Sequence, residues 1–596
     1  MASRLPEGIG HPPNSPRRLP RPVRALILAA TAALLSTGTA RDGRCEESAR
    51  APNLVVILAD DMGYNDVGCY GAPLVETPSL DRMAQEGTRL TDFYVQPVCG
   101  VSRAALMTGC YPIRVAEVAN RKEGHPVLHP DEITLAEVLK SAGYATALVG
   151  KWHLAGPGKN TRGPGTGPFR SDLMPNAQGF DAFFGTPLHN GFTREVNPKR
   201  FVTELMRNEE VLESPADLNQ LTRRYTEEAI RFIRQNKDRP FFLYLAHNMP
   251  HVTLGVSERF RGTSKRGLYG DVVQELDWST GQVLDSLREL GIDENTLVVF
   301  TSDNGPWVEE HLAGEGGIDA HYGSADPLRG WKMQTWDGGL RVPCIMRWPG
   351  KIPAGRVSGE LLTSMDLLPT FAALAGAHVP DDRIIDGKNV LPILLGEPDA
   401  RNPRETLFYY CYNHLQAVRH GKWKLVLPRP DRAKWCSWSA RMVTAVDQPE
   451  LYDLDSDPGE QHDVAAEHPE TVAELMKRIE QAREDLGDYD RIGRGARFFD
   501  EGVRRPDALR WQEKPAASRE PVPADGGGPY PRDLVYTTAI GPEKGVTRRD
   551  PSDVILAGRK SMDRAGPGRG QGRQGGVGRA RRVYAQHPRT PSIWKA

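Results

Sequence analysis

Four short apolar runs in this chain end alike, and their recurrence narrows the folds available to it. Leu54–Ala59 is followed by Asp60 and Asp61, and Ala145–Val149 by Lys151 and His153. Phe241–Ala246 is followed by His247 and His251, and Leu297–Ser302 by Asp303 and Asn304. Continuous β-rich runs of this length suit strands covered on both faces. Helix-forming stretches such as Thr134–Ser141 and Tyr225–Gln235 lie between them. The alternation predicts an α/β sandwich around a mostly parallel central sheet. Ligands of such sheets bind beyond the carboxyl ends of the strands, so the four polar groups are expected in one cleft. Ordinary turn chemistry explains any one of them, since Asp, Asn and Gly open many loops, but four in step are hard to explain that way.

The remaining texture divides the chain. Residues 51–400 carry the α/β pattern. From about 401 to 495 it gives way to strands at Leu407–Tyr412, Trp423–Pro428 and Leu451–Leu454, then a helix. Pro469 suits the first turn of that helix, and Val472, Leu475, Met476, Ile479 and Leu486 form one face before Gly487. This predicts a small α+β subdomain with an antiparallel sheet. Residues 515–596 are rich in Pro, Gly and Arg. Arg564–Arg582 holds six arginines and no acid, which reads as a disordered tail or, as the minority case, a weak polyanion-binding arm.

The formal net charge of −1 over 596 residues gives no global sign of nucleic-acid binding. Arg17, Arg18, Arg21 and Arg24 precede an apolar run from Ala25 to Leu35, and Gly38-Thr39-Ala40 offers small residues for cleavage. Residues 1–40 therefore read as an export signal, with an uncleaved anchor or a start codon placed too early as the alternatives. The run is too short to span a bilayer, and a periplasmic or secreted protein is expected. Seven cysteines, an odd number in an exported chain, suggest one special thiol. Cys411 and Cys436 are a candidate pair, and unpaired buried thiols are an equal alternative.

That special thiol has a clear candidate. Residues 99–109 read Cys-Gly-Val-Ser-Arg-Ala-Ala-Leu-Met-Thr-Gly. Cys99 is expected near a helix start, where unpaired N–H groups favour an anion, and Arg103 adds a fixed positive charge. Asp60, Asp61, Asp303 and Asn304 offer hard oxygen ligands suited to Ca²⁺ or Mg²⁺ rather than zinc. Without a cation, converging carboxylates would raise one another's pKa.

The Cys99 segment resembles the sulfatase motif, Cys-x-Pro/Ala-Ser-Arg followed by Leu-x-Thr-Gly, with Val101 standing where the family prefers Pro or Ala. Gly150-Lys151-Trp152-His153, Asn248-Met249-Pro250-His251 and Lys332 through Arg341 resemble further family segments, in the family's order. The resemblance runs from about Pro52 to about Asp490, and Lys424-Leu425 and Leu451–Glu460 are similar to the family's C-terminal part. It implies an alkaline-phosphatase-like sandwich and an arylsulfatase-like hydrolase of sulfate esters, acting on aryl sulfates or sulfated carbohydrate. Cys99 would be oxidised to formylglycine by a formylglycine-generating enzyme and supply the nucleophile. Asp60, Asp61, Asp303 and Asn304 would bind one Ca²⁺, together with residue 99.

The resemblance also implies that Arg103, Lys151, His251 and Lys332 neutralise the transferring group. His153 would take a proton from the hydrated aldehyde, and His251 would protonate the leaving alcohol. His189-Asn190 would face the substrate, His247 would be a structural neighbour and Arg341 part of the scaffold. A loop with His311 and His321 would form a pocket wall. The glycines at 338 and 339 would permit the turn that carries Lys332. Two rivals stand beside this reading: a phosphate or phosphonate ester hydrolase of the same fold, and a non-catalytic polyanion-binding homologue.

Overall fold

The computed structural model describes residues 50–115, 128–155, 169–190, 202–308, 322–432 and 442–497, and the backbone of a short strand at Leu509–Arg510. The export signal, the Arg-rich tail, His311, His321, Cys45 and Cys436 lie outside the described residues, so the Cys411–Cys436 pairing does too. Cys69, Cys99, Cys110 and Cys344 carry free thiols.

The apolar runs are the middle of a ten-stranded sheet. Its order is Arg356–Ser358, Thr88–Leu90, Cys344–Arg347, Thr296–Ser302, Asn53–Ala59, Phe241–Ala246, Ala145–Lys151, Ala182–Thr186, Leu205–Arg207 and Glu210–Glu213. The five strands from Thr296–Ser302 to Ala182–Thr186 are mutually parallel. Antiparallel pairs lie outside them, at Cys344–Arg347 and at Leu205–Arg207. The sheet is therefore mixed, with a parallel centre.

The continuous apolar runs reflect burial on both faces. Leu54, Val56 and Leu58 join one core with residues of the helices Cys99–Thr108, Leu135–Ser141 and Leu367–Ala375. Val55, Ile57 and Ala59 join a second core with the helices Pro78–Glu86, Leu221–Asn236 and Leu268–Glu289. Alternate residues of one strand thus face opposite layers. Thr134 caps its helix in a reciprocal box with Glu137. No helix among the described residues is long and apolar enough to cross a membrane.

Register brings the strand ends level. Ala59 pairs with Ser302, Leu58 and Gly150 both pair with Ala246, and Lys151 pairs with Thr186. The polar residues that follow each strand therefore emerge at one edge. Gly150 is required there: its φ is +117°, and an added Cβ would lie 1.8 Å from the Ala246 carbonyl oxygen.

A four-stranded antiparallel sheet follows, in the order Thr406–Cys411, His414–His420, Trp423–Val426 and Glu450–Asp453. The strand His414–His420 was not legible as such, because both its faces are buried while its sequence mixes polar and apolar residues. The helix Pro469–Asp485 buries Leu475, Ile479 and Ala482, with Val472 and Met476 packed partly against the same core.

Candidate active site

Cys99 opens the helix Cys99–Thr108, and no side chain caps that end. Its thiol is buried, which pushes its pKa up against the opposing pull of Lys151 and Lys332. Ser102 Oγ accepts from the Gln96 amide at 3.2 Å, fixing the approach to the helix. Gly109 ends the helix in the left-handed region at φ +66°.

Around Cys99, three carboxylates meet three cations. Lys151 Nζ donates to Asp60 Oδ2 at 2.5 Å and Lys332 Nζ to Asp61 Oδ1 at 2.6 Å. Arg103 donates through Nε to Asp303 Oδ2 at 2.9 Å and through Nη1 to the Lys151 carbonyl at 2.7 Å. Its Nη2 also lies 3.9 Å from Asp60 Oδ2. Lys332 Nζ stands 3.9 Å from Cys99 Sγ. Burial disfavours the Lys332 charge, but Asp61, Cys99, Asp60 and Asp303 together outweigh it and the pKa is raised. Burial and the adjacent Asp60 push the Asp303 carboxyl up, the repulsion expected of converging acids.

The two acidic pairs are fastened to each other. The Asp61 amide donates to Asp303 Oδ1 at 3.3 Å, and Asn304 Nδ2 donates to Asp61 Oδ1 at 2.7 Å. Ser302 Oγ accepts from the Met62 amide at 3.0 Å and donates to the Asn304 carbonyl at 2.9 Å. Asp66 takes the Gly63 and Ser324 amides and the Tyr269 hydroxyl. These bonds hold Asp61 at φ +71°, a backbone region uncommon for a residue with a side chain.

The donor set fits a cation. Asp60 Oδ1, Asp61 Oδ2 and Asn304 Oδ1 are buried with no hydrogen-bond partner, and buried oxygens are otherwise almost always satisfied. Ligand atoms of Asp60, Cys99 and Asp303 lie within 4.8 Å of one another, as do those of Asp60, Asp61 and His251. Oxygen predominates in the set, which suits a hard cation.

The histidines form a row on the other side. His153 and His189 ring centres are 5.3 Å apart, and His189 stacks on His251 at 5.0 Å. His189 Nδ1 meets the Asn190 carbonyl at 2.7 Å, and His251 Nδ1 meets the Val252 carbonyl. A carbonyl only accepts, so each Nδ1 carries the proton, and in His251 Nε2 is the nitrogen that can exchange one. His251 Nε2 lies 3.8 Å from Asp61 Oδ2. Burial, then Lys332 and Lys151, hold His251 well below the usual histidine range. Burial brings His189 down to about 3.

His247 points elsewhere: its Nε2 meets Ser279 Oγ at 3.3 Å, and its ring lies 6.2 Å from that of Tyr225. Arg341 bonds the Thr91 carbonyl and Asp92. Asn190, expected to face the substrate beside His189, instead turns its amide inward, to the His251 and Thr253 carbonyls at 3.0 Å each. The role expected of Gly338 and Gly339 also changes. They sit in the short helix Asp337–Leu340, and added Cβ atoms would lie 2.4 Å from the Gly330 carbonyl oxygen and 2.1 Å from that of Gln334. Close packing, not a positive φ, demands them.

Ser302, Asp66, Asn190 and Asn248 are residues that sequence reasoning missed as supports. Ser302 adjoins the acidic pair and could have been suspected. Nothing local marks Asn248, whose side chain meets Thr186, Asn190 and Tyr225.

Comparison with known proteins agrees with this geometry. The sulfatase family profile matches residues 52–377, and one described as N-sulphoglucosamine sulphohydrolase, C-terminal, matches 330–485. Steryl-sulfatase of Mus musculus is 36% identical, over 78% of this chain and 86% of its own. Arylsulfatase A of Homo sapiens is 37% identical, over 74% and 89%. N-acetylgalactosamine-6-sulfatase of Canis lupus familiaris is 41% identical, over 63% and 71%. Among solved structures, a sulfatase from Pseudoalteromonas sp. superposes with a TM-score of 0.61 at 27% identity, covering 72% of this chain and 90% of that one. The chain belongs to the sulfatase family and is an arylsulfatase-like sulfuric ester hydrolase.

Proposed function

We propose that this enzyme hydrolyses sulfate esters with a formylglycine made from Cys99 and one Ca²⁺, on aryl sulfate or sulfated carbohydrate substrates. The observation that carries the reading is the orphaned trio Asp60 Oδ1, Asp61 Oδ2 and Asn304 Oδ1 beside Cys99. Asp60, Asp61, Asp303 and Asn304 would hold the cation, which supplies Lewis acidity to the sulfate oxygens. The hydrated aldehyde at residue 99 supplies one hydroxyl to attack sulfur and a second whose deprotonation releases sulfate.

The chain's own groups do the rest. Three carboxylates against three cations leave the cleft near neutrality, so a divalent ion makes it positive and receptive to an anionic ester. Arg103 stays on Asp303 and the Lys151 carbonyl, holding the acids together. Lys151 and Lys332 are preorganised to neutralise charge growing on the sulfate oxygens. His251 Nε2, bare in the Nδ1–H tautomer, would first take up a proton beside the bound anionic ester and then hand it to the leaving alcohol, with His189 stacked against it. His153 would take the proton of the residue-99 hydroxyl. We also assign residues 1–40 as an export signal, which makes the mature enzyme periplasmic or secreted.

Stripping divalent cations is expected to lower both activity and melting temperature, because the buried oxygens of Asp60, Asp61 and Asn304 are left without a partner and the stabilisation from a bound ion is lost. Calcium should restore both better than zinc, with metal content followed by elemental analysis. Full activity in verifiably metal-free protein would sink the cation's role. Assaying an aryl phosphate beside an aryl sulfate tests the substrate class.

Val101 gives a second test. It is buried in the first turn of the Cys99 helix, but a converting enzyme reads an extended chain, where β-branched valine is stiff. Conversion of Cys99 is expected to be incomplete, and Val101→Pro or Val101→Ala should raise the aldehyde fraction and total activity in proportion. The mass of the residue-99 peptide in all three proteins decides it. Near-complete conversion in the wild type would make Val101 a harmless variant, and its absence in the native host would favour a non-catalytic protein.

A further inference from the structure

The turn that carries Lys332 is supported from two sides. In front, the Met333 amide donates to the Pro97 carbonyl at 2.7 Å, two residues ahead of Cys99. Met333 itself has φ +73°, a conformation that persists only where neighbours over-determine it. Behind the turn stands the C-terminal antiparallel sheet. Gln416 Oε1 accepts from Thr335 Oγ1 at 2.6 Å, and Gln334 Nε2 donates to the Met442 carbonyl at 3.0 Å.

Lys424, on the strand Trp423–Val426, is the centre of this contact and is fully buried. Its Nζ donates to the Thr335 carbonyl at 2.9 Å and pairs with Asp337 Oδ1 at 2.9 Å and Glu460 Oε1 at 2.6 Å. Glu460 Oε2 in turn accepts from the Asp337 amide at 2.7 Å. The Tyr94 and Tyr409 hydroxyls donate to Asp337, and the Tyr409 ring lies 4.1 Å from the Lys424 ammonium. Burial opposes the Asp337 charge, but Lys424, Arg341 and Arg419 hold its pKa down. Buried ion pairs of this kind are a weak source of net stability. What this one does is fix backbone: two of the three groups on Lys424 belong to the turn that follows Lys332.

We propose that Lys424 is a positioning residue for Lys332. By clamping the Thr335 carbonyl and the Asp337 carboxylate, it holds the left-handed turn at Met333 in the geometry that brings the Lys332 ammonium to Asp61 and residue 99. None of these bonds reaches residue 99 or the acidic set, so the influence runs through the turn. The C-terminal sheet is thereby part of the active-site architecture. The proposal rests on the reading of Lys332 as a sulfate-binding group.

A double-mutant cycle on the full-length enzyme tests it, using Lys424→Met, Lys332→Ala and their combination. Rates on 4-nitrophenyl sulfate are expressed per residue-99 aldehyde. Lys424→Met is expected to lower kcat/KM about tenfold in the wild-type background and less than about twofold in the Lys332→Ala background, with calcium content unchanged. If Lys424→Met does not fold, Lys424→Met/Glu460→Gln preserves the buried charge balance and takes its place. Equal losses in both backgrounds, or no loss in a folded Lys424 variant, overturn the positioning role while leaving Lys332 in the site. Undiminished kcat/KM in Lys332→Ala overturns the sulfate-binding reading and this proposal with it.

Discussion

Cys99→Ala is expected to leave a folded protein with no turnover above background, a loss of roughly 10³-fold or more, as when a nucleophile is removed. The fold survives because little depends on the sulfur. The helix Cys99–Thr108 has no side-chain cap to lose, and the Gln96–Ser102 bond at its approach is untouched. Lys332 keeps Asp61 as its principal partner, since the thiol is only a distant neighbour at 3.9 Å. Deleting one buried atom costs about 1 kcal/mol, a small part of the stability of a domain this size. Circular dichroism and a melting curve would check the fold, and an aryl sulfate assay the chemistry. Clear residual activity in purified Cys99→Ala would remove formylglycine from the mechanism.

Lys332→Ala and His251→Ala are each expected to lower kcat/KM by roughly 10²-fold or more, the scale of a lost transition-state charge contact. Lys332 Nζ stands 3.9 Å from the thiol, and its removal also leaves Asp61 Oδ1 with only the Asn304 amide. His251 offers its Nε2 to the same cleft. His247, four residues earlier, faces Ser279 and Tyr225 instead, so His247→Ala should have a much smaller effect. If His247 proved the more damaging histidine, the assignment of proton donor to His251 would be wrong. Steady-state kinetics on the three purified variants settles the order.

The difference between those two histidines shows how far local sequence carries. Both follow the strand Phe241–Ala246, His247 buried and His251 half-buried, and both have pKa values held down, chiefly by desolvation. Only the path of the loop through Pro250 separates the one that reaches the acids from the one that faces a helix. The case of Asn190 is similar: its position beside His189 suggested substrate contact, but its amide is consumed by loop carbonyls.

What the sequence by itself determined is the chemistry. Strand ends, hard oxygen donors, a cysteine at a helix start and the order of the motifs are all written in short contiguous stretches, where residue type and spacing act directly. The parallel centre of the sheet was legible for the same reason, since burial on both faces leaves its mark on each strand separately. Only the tertiary structure decided which atoms pair. The level register of Ala59, Ser302, Ala246 and Lys151, the orphaned oxygens of the acidic set and the clamp from Lys424 onto Thr335 and Asp337, 89 and 87 residues away along the chain, join segments that carry no local sign of one another. Such contacts depend on where packing places distant backbones, and a side chain's neighbours, unlike its own chemistry, are not encoded beside it.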